Sequence, residues 1–217
     1  MVRALPDFVP EVEISKDDLV SDANGQVRWA DIFGADRHLR VEVGVGNSPF
    51  LIEVAREAPD FNYLGFEYCR KRVLKFSKKV VRAGMENIRI LQLEAKSALE
   101  QLFQPGSVDN FYINHPDPWP KRRHAKHRFV QPHTVDLLCR LLRPGGGISL
   151  RTDAPAYAYQ MLAVLNAAEL LVNEAGPRHF AETPREPFQT PYEIKFREQG
   201  LPIYYLEYRK RQVADDA

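Results

Sequence analysis

Apolar and polar positions along this chain alternate in two rhythms. Leu39-Arg40-Val41-Glu42-Val43 has a strand-like period and stops at Gly44, which predicts a short strand. Phe50-Leu51-Ile52 and Val54-Ala55 have helical spacing, and Pro59 closes that helix. Tyr63–Phe66 reads as a second strand, and residues 70 to 83 as a helix ended by Gly84. Ile88–Leu91 is a third strand, followed by a helix over about 96–103 that halts at Pro105-Gly106. Val108–Ile113 is a fourth strand, and a polar loop after it leads to a helix ending near Leu142. Arg143-Pro144-Gly145-Gly146-Gly147 predicts a turn, Ile148–Leu150 a fifth strand, and residues 154–168 another helix. A weak strand over 169–173 and a Tyr-rich strand over Ile203–Tyr208 complete the pattern. Residues 1–37 mix acids such as Asp7, Glu11, Glu13, Asp17 and Asp18 with few periodic apolar positions and an Asn24-Gly25 turn signal, and read as an irregular N-terminal arm.

Strands that alternate with helices at this spacing imply βαβ units: an α/β fold whose mostly parallel sheet has helices on both faces. No crossover helix is predicted before the last strand, which is therefore expected to run antiparallel. Ligands of such sheets bind beyond the carboxyl ends of the strands, so the segments after each strand are where chemistry is sought.

Length and composition narrow the class. A chain of 217 residues with 44% hydrophobic and 27% charged positions is sized and composed like one globular domain, which excludes a disordered chain or a coiled coil. The uncharged stretch between Asp153 and Glu169 falls short of the roughly 20 apolar residues a bilayer requires. Asp7, Glu11 and Glu13 occupy the place of a signal peptide's apolar core, so a cytoplasmic protein without membrane attachment is expected. Cys69 and Cys139 have no metal or redox spacing. The net charge of +1 argues against a general nucleic-acid coat protein and shifts attention to where the cations cluster.

After the first strand, Glu42-Val43-Gly44-Val45-Gly46-Asn47-Ser48-Pro49 offers two glycines for a tight turn near a ligand. Pro49 stands where a dinucleotide fingerprint has its third glycine, and the strand carries an acid, Glu42. Both features favour the cationic S-adenosylmethionine over a doubly anionic dinucleotide. Glu67, at the end of the second strand, is placed to accept ribose hydroxyls.

The loop after the fourth strand is richer still. Three prolines in Pro116-Asp117-Pro118-Trp119-Pro120 predict a stiff, extended backbone. Lys121, Arg122, Arg123, Lys126 and Arg128 follow with no acid among them, a composition suited to phosphates. Asp117 can accept a base N–H and Trp119 can stack on a base. The helix over 70–82 adds seven cations, with Lys71, Lys75, Lys78 and Arg82 on one face and Val73, Val80 and Val81 on another. His124 and His127 have no third ligand nearby, and no metal is expected. A methyltransferase acting on an exocyclic amine, a dinucleotide-dependent oxidoreductase and a non-catalytic RNA-binding protein share parts of this pattern.

From about residue 33 to 210 the chain resembles the bacterial tRNA (guanine-N7-)-methyltransferases. The segments that carry the resemblance are Glu42-Val-Gly-Val-Gly46, Gly65-Phe-Glu67, Pro116–Lys121 with Arg123-His124 and Lys126, Arg151-Thr152-Asp153, and Thr190-Pro191-Tyr192-Glu193. The resemblance implies a Rossmann-like class I methyltransferase domain over 38–217, with seven strands, the last antiparallel. It implies methyl transfer from S-adenosylmethionine to N7 of a guanosine in tRNA, at variable-loop position 46. Glu42, Gly44, Gly46, Glu67, Glu94 and Asp117 would contact the cofactor. Asp117 would be the central catalytic acid, and Lys121, Asp153, Thr190, Tyr192 and Glu193 would hold the substrate. A monomer or a homodimer is compatible with the family, and no obligate protein partner is implied. The chain departs from the pattern at His115, usually Phe, at the Asn47-Ser48-Pro49 turn, and at Glu94, usually Asp.

Overall fold

The computed structural model describes residues 9, 11–15, 18–19 and 25–212. Asp7, Asp17 and Asn24 of the predicted arm, and the Arg122 side chain, lie outside the described residues. The chain divides into two compact units, up to Leu102 and from Phe103 onward. Among the described residues, no helix is long and apolar enough to cross a membrane.

The first unit holds β1 (Glu13–Ile14), α1 (Trp29–Phe33), β2 (Leu39–Val43), α2 (Phe50–Glu57), β3 (Asn62–Phe66), α3 (Arg70–Ala83), β4 (Ile88–Leu91) and α4 (Ala95–Leu102). Its strands run in the order β1-β4-β3-β2, and each neighbouring pair is parallel. Every residue of β3 is buried, as a strand covered on both faces requires. Gly65 within it is a packing requirement: a Cβ there would meet Val45 Cγ1 at 2.5 Å. The helix α3 spans the predicted residues and ends at Gly84, whose φ of 66° is the left-handed cap glycine adopts without strain. Its buried stripe is Val73, Phe76, Ser77 and Val80 rather than the expected Val73-Val80-Val81, and Val81 is 52% exposed. One step of about 100° from Val80 carries Val81 out of the stripe. Both β1 and α1 fall in the segment whose pattern reads as irregular.

The second unit holds β5 (Val108–Asn114), a 3-10 helix (Arg122–His127), α5 (Pro132–Leu141), β6 (Leu142–Thr152), α6 (Pro155–Asn166), β7 (Leu171–Asn173), α7 (Pro191–Glu198) and β8 (Tyr204–Lys210). Its strand order is β5-β6-β8-β7. The β5–β6 pair is parallel, and β8 runs antiparallel to both β6 and β7, as expected for the last strand. The described strands number eight, the expected seven plus β1.

Three segments differ from the pattern reading. The predicted turn at Arg143–Gly147 is a large bulge inside β6: Val108 pairs with Leu142 and Asn110 with Gly147, so the four residues 143–146 face Asp109 alone. Asp109 Oδ1 holds the bulge by accepting from Arg143 Nε at 2.7 Å. The loop after β5 is not extended throughout, because the 3-10 helix occupies its basic half. The stretch before β8, expected to lack a helix, contains α7.

One side chain ties the irregular stretch between β7 and α7 to the strands. Arg185 donates to Asn110 Oδ1 (2.7 Å), Ser149 Oγ (3.3 Å), Glu174 Oε2 (2.7 Å) and the Tyr208 carbonyl (3.3 Å), while its amide donates to Glu207 Oε1 (3.0 Å). It fits because residue 147 is glycine: a Cβ there would collide with the Arg185 guanidinium and with Asn110 Oδ1.

Candidate functional site

In the first unit, the carboxyl ends of β2 and β3 meet at the glycine turn. Gly44 and Val45 donate their amides to the Phe66 carbonyl at 2.9 and 3.0 Å, which bends the chain back across β3. Gly44 and Gly46 have φ of 79° and 57°, and a Cβ on Gly44 would meet nothing within 4 Å. That bare backbone leaves room for a ligand's close approach. Glu42 is fully buried just before the turn. Glu67, also buried, accepts from the Gly46 amide (3.2 Å) and from the Cys69 amide (2.9 Å), with Arg72 Nη1 3.7 Å away. It thus ties the glycine turn to the start of α3. Two buried carboxylates beside an uncrowded glycine backbone fit a cationic ligand bearing ribose hydroxyls. The helix N-terminus here is capped by Pro49, with no side-chain cap bond, and Phe50 donates its amide to Ser48 Oγ at 3.1 Å.

Glu94 caps α4. Its carboxylate accepts from the amides of Lys96 (3.1 Å) and Ser97 (2.8 Å) and from Ser97 Oγ (2.9 Å). Partial burial pushes its pKa up, but these bonds and the Lys96 charge outweigh it and hold the carboxyl below its ordinary range.

The α3 cations divide. Arg70 pairs with the buried Glu13 of β1, Arg72 faces Glu67, and Lys79 donates to the Asn47 carbonyl. Burial, and then the neighbouring Lys75 charge, push the Lys79 pKa down. Arg70, Arg72 and Lys79 thus brace the glycine turn and β1, and none of them belongs to the expected face of Lys71, Lys75, Lys78 and Arg82.

In the second unit, the loop after β5 presents Asp117 exposed, and no described residue hydrogen-bonds or ion-pairs with it. Trp119 is 38% exposed with φ 41°, and His124 and His127 pack against its indole at 5.9 and 5.3 Å between centroids. The histidine pair thus builds the tryptophan's seat. Arg128 latches the loop: it donates to the carbonyls of Pro118 (2.8 Å) and Trp119 (3.4 Å) and to Gln160, and its guanidinium sits 4.9 Å over the Tyr157 ring. It is spent on structure, which leaves Lys121, Arg123 and Lys126 as the exposed cations among the described side chains of this run.

Asp153, partly exposed after β6, faces His115 Nδ1 at 3.4 Å. Thr190 caps α7 by accepting the Glu193 amide at 3.1 Å, Pro191 fills the first turn, and Tyr192 is 50% exposed. Glu193 is the reverse of exposed: Oε2 accepts from Arg151 Nη1 (2.9 Å), and Oε1 accepts from Arg197 Nε (3.2 Å) and the Tyr205 hydroxyl. Burial raises its pKa, and the bonds from Tyr205 and Arg151 overcome that and lower it. Arg151 also donates to the carbonyls of Phe188 (2.5 Å) and Glu186 (2.8 Å), so one buried guanidinium fixes the 186–193 stretch. The structure therefore groups Asp153, Thr190, Tyr192 and Glu193 around α7 and the end of β6, with His115 among them.

The pattern reading left out the roles of Arg151, Arg128 and His115. Arg151 had a signal, a charged residue in an apolar strand next to Leu150. His115 and Arg128 had none, since their partners are set by the fold.

A sequence model of the family described as "Putative methyltransferase" matches residues 36–206. A tRNA (guanine-N(7)-)-methyltransferase of Leifsonia xyli is 36% identical over 95% of this chain and 88% of its own. One of Thermotoga maritima is 34% identical over 84% of this chain, which spans 57% of that protein's length. Among solved structures, the aminoglycoside resistance methyltransferase NpmB1 superposes with a TM-score of 0.57 at 18% identity, covering 84% of this chain and 91% of that one.

Proposed function

This chain belongs to the tRNA (guanine-N7-)-methyltransferase family, and we infer that it methylates N7 of a guanosine in tRNA, the variable-loop guanosine at position 46, with S-adenosylmethionine as donor. The observation that carries the reading is the loop from Pro116 to Lys121, which holds an exposed carboxylate that no described residue pairs with beside an exposed tryptophan and flanks them with cations. We place the protein in the cytoplasm, where its tRNA substrate is.

S-adenosylmethionine supplies an electrophilic methyl on a sulfonium when bound. In the first unit, Glu42 and Glu67 offer carboxylates to a cation and to ribose hydroxyls, the Gly44–Gly46 backbone permits close approach, and Glu94 stands at the α4 cap as a further contact. In the second unit, Asp117 and Asp153 offer acceptors to the guanine N1–H and N2–H₂ donors. Thr190, Tyr192 and Glu193 shape the wall around that base, and Lys121 meets phosphate.

The chemistry asks for no catalytic acid–base pair. Guanine N7 carries a lone pair and no proton at neutral pH, so it attacks the methyl carbon without a base. The protein's task is alignment and exclusion of competing nucleophiles. It must also leave N7 free. An arginine bound bidentate to N7 and O6, the commonest protein contact to guanine, would block the reaction. Carboxylates on the opposite edge hold the base without touching N7. They also favour the positive charge that the ring acquires.

Incubating the protein with unmodified tRNA and labelled S-adenosylmethionine, then digesting the RNA and analysing it by mass, should return label in 7-methylguanosine. Label on an exocyclic amine, or none, would overturn the reading. The cofactor half is tested separately. Glu67→Ala removes two hydrogen bonds to a charged acceptor, each worth about 1.5–3 kcal/mol, so calorimetry should show S-adenosylmethionine affinity falling at least about tenfold. Unchanged affinity in a folded variant would place the ribose contact elsewhere.

A further inference from the structure

Among the described residues of the second unit, His115 Nε2 is the one buried side-chain nitrogen or oxygen with no hydrogen-bond partner. The side chain is only 5% exposed. Buried polar groups are nearly always paired, so an orphan of this kind needs a reason. Its surroundings are built with care. The His115 amide donates to the Arg151 carbonyl at 2.9 Å, and the backbone takes a φ of 48°, a conformation few non-glycine residues hold. The ring packs against Phe196 (5.6 Å between centroids) and Tyr192 (6.2 Å) of α7. Nδ1 faces Asp153 Oδ1 at 3.4 Å.

The charged and titratable groups around the ring are Asp153 beyond β6, Arg151 of β6, and Glu193 and Tyr192 of α7. Burial pushes the imidazole pKa below its ordinary value, and Arg151 acts in the same direction. The hydrogen bond and charge of Asp153 and the charge of Glu193 oppose them without reversing the shift. At neutral pH the ring is therefore neutral. A carboxylate opposite Nδ1 requires the proton there, which leaves Nε2 a pure acceptor.

We propose that His115 is a specificity-determining residue: its Nε2 accepts the guanine N2 amino hydrogen that the Asp153 carboxylate leaves free. The proposal rests on the guanosine reading above and names a contact within it. With Asp117 on N1–H, the Asp153 carboxylate takes one hydrogen of the amino group. The second amino hydrogen remains, and it calls for a single acceptor beside that carboxylate. A neutral imidazole bonded through its other nitrogen to the same carboxylate meets that need. Nε2 is buried here, so the base reaches it only with a shift of the α7 side chains beside the ring, of which Tyr192 is half exposed. Phenylalanine, which the resemblance gives at this position, would fill the same volume and offer no acceptor.

The test compares tRNA carrying guanosine or inosine at the methylated position, with the protein as it stands and with His115→Phe. Inosine lacks the amino group and keeps N7 and N1–H. With the unsubstituted protein, inosine should lower kcat/KM by at least about tenfold, of the order of one lost hydrogen bond or more. The His115→Phe variant should lose about tenfold on guanosine tRNA and show an inosine penalty smaller by that same factor. S-adenosylmethionine affinity should not change. The pH profile gives a second reading that needs no variant. With guanosine tRNA, kcat/KM should fall on acidification below the imidazole pKa, and with inosine tRNA this acid limb should be absent. Equal inosine penalties in both proteins, or an acid limb shared by both substrates, would overturn the role of Nε2. Failure of the unsubstituted protein to methylate guanosine tRNA at all would instead overturn the underlying function.

Discussion

Methyl transfer should stop when the target guanosine is replaced by 7-deazaguanosine. The replacement puts a C–H where the nucleophilic lone pair was and leaves the N1 and N2 donors in place. The contacts assigned to Asp117, Asp153 and His115 survive, so tRNA affinity should change little while turnover disappears. Asp117→Ala separates the other half of the argument, because it keeps the nucleophile and removes a carboxylate. Loss of one preorganised electrostatic contact lowers kcat by about 10²–10³. Asp117 is exposed and no described residue bonds to it, so its removal should leave the unfolding midpoint almost unchanged. Single-turnover assays on both substrates check the pair. Steady methylation of the deaza tRNA would mean that the target is an exocyclic amine or a ribose oxygen.

Arg151→Met should be the most damaging substitution for stability. Arg151 and Glu193 are 3% and 1% exposed, and removing one partner of a buried ion pair costs about 3–5 kcal/mol because the other charge is left uncompensated. The two bonds from Arg151 to the Phe188 and Glu186 carbonyls are lost as well. Urea titration should show a fall of that size, and a change under about 1 kcal/mol would show that Tyr205 and Arg197 suffice to hold Glu193. Adding Glu193→Gln should recover part of the loss. The pH dependence has a definite sign. The Glu193 pKa is lower in the folded chain than its ordinary value of 4.5, so the stability it contributes is fully present above about that value. It is lost as pH falls through the lower, folded pKa. In Arg151→Met this acid sensitivity should shrink.

How far the sequence could be read depended on where the determining partners lie. The bounds of α3 could be read to the residue because its terminating Gly84 is a local signal, although its buried stripe takes in Phe76 and Ser77 and leaves Val81 out. The strand β4 was equally plain, with Ile88, Ile90 and Leu91 buried as their pattern implied. The two-residue strand β1 was not legible, because only its pairing with Ile90 and Leu91, far along the chain, makes it a strand. The helix α7 announces itself through Thr190, Pro191 and Glu193, a cap, a first-turn proline and the third position of a capping box, but its weakly apolar face hid it. The 3-10 helix over Arg122–His127 has no apolar pattern of its own, and the packing of His124 and His127 on Trp119 that accompanies it is set by the fold. Candidate site residues were visible as chemical types. Which of them are spent on structure was not: Glu94 caps a helix, Glu193 is buried under three donors, and Arg128 is a latch.

The web around Arg185 bears on how this chain can be cut and rejoined. The stretch between β7 and α7 is nearly free of regular structure and would look, on an element diagram, like the natural place for a new terminus or an inserted domain. The Arg185 guanidinium nevertheless engages residues 110, 149, 174 and 208 at once. A break near Arg185 would free that side chain from its register and leave Asn110 and Ser149, deep between strands, without their donor. The turn at Gly176, nine residues earlier, makes no bond to Arg185 itself and offers the better point of entry for circular permutation, provided Glu174 two residues before it keeps its place.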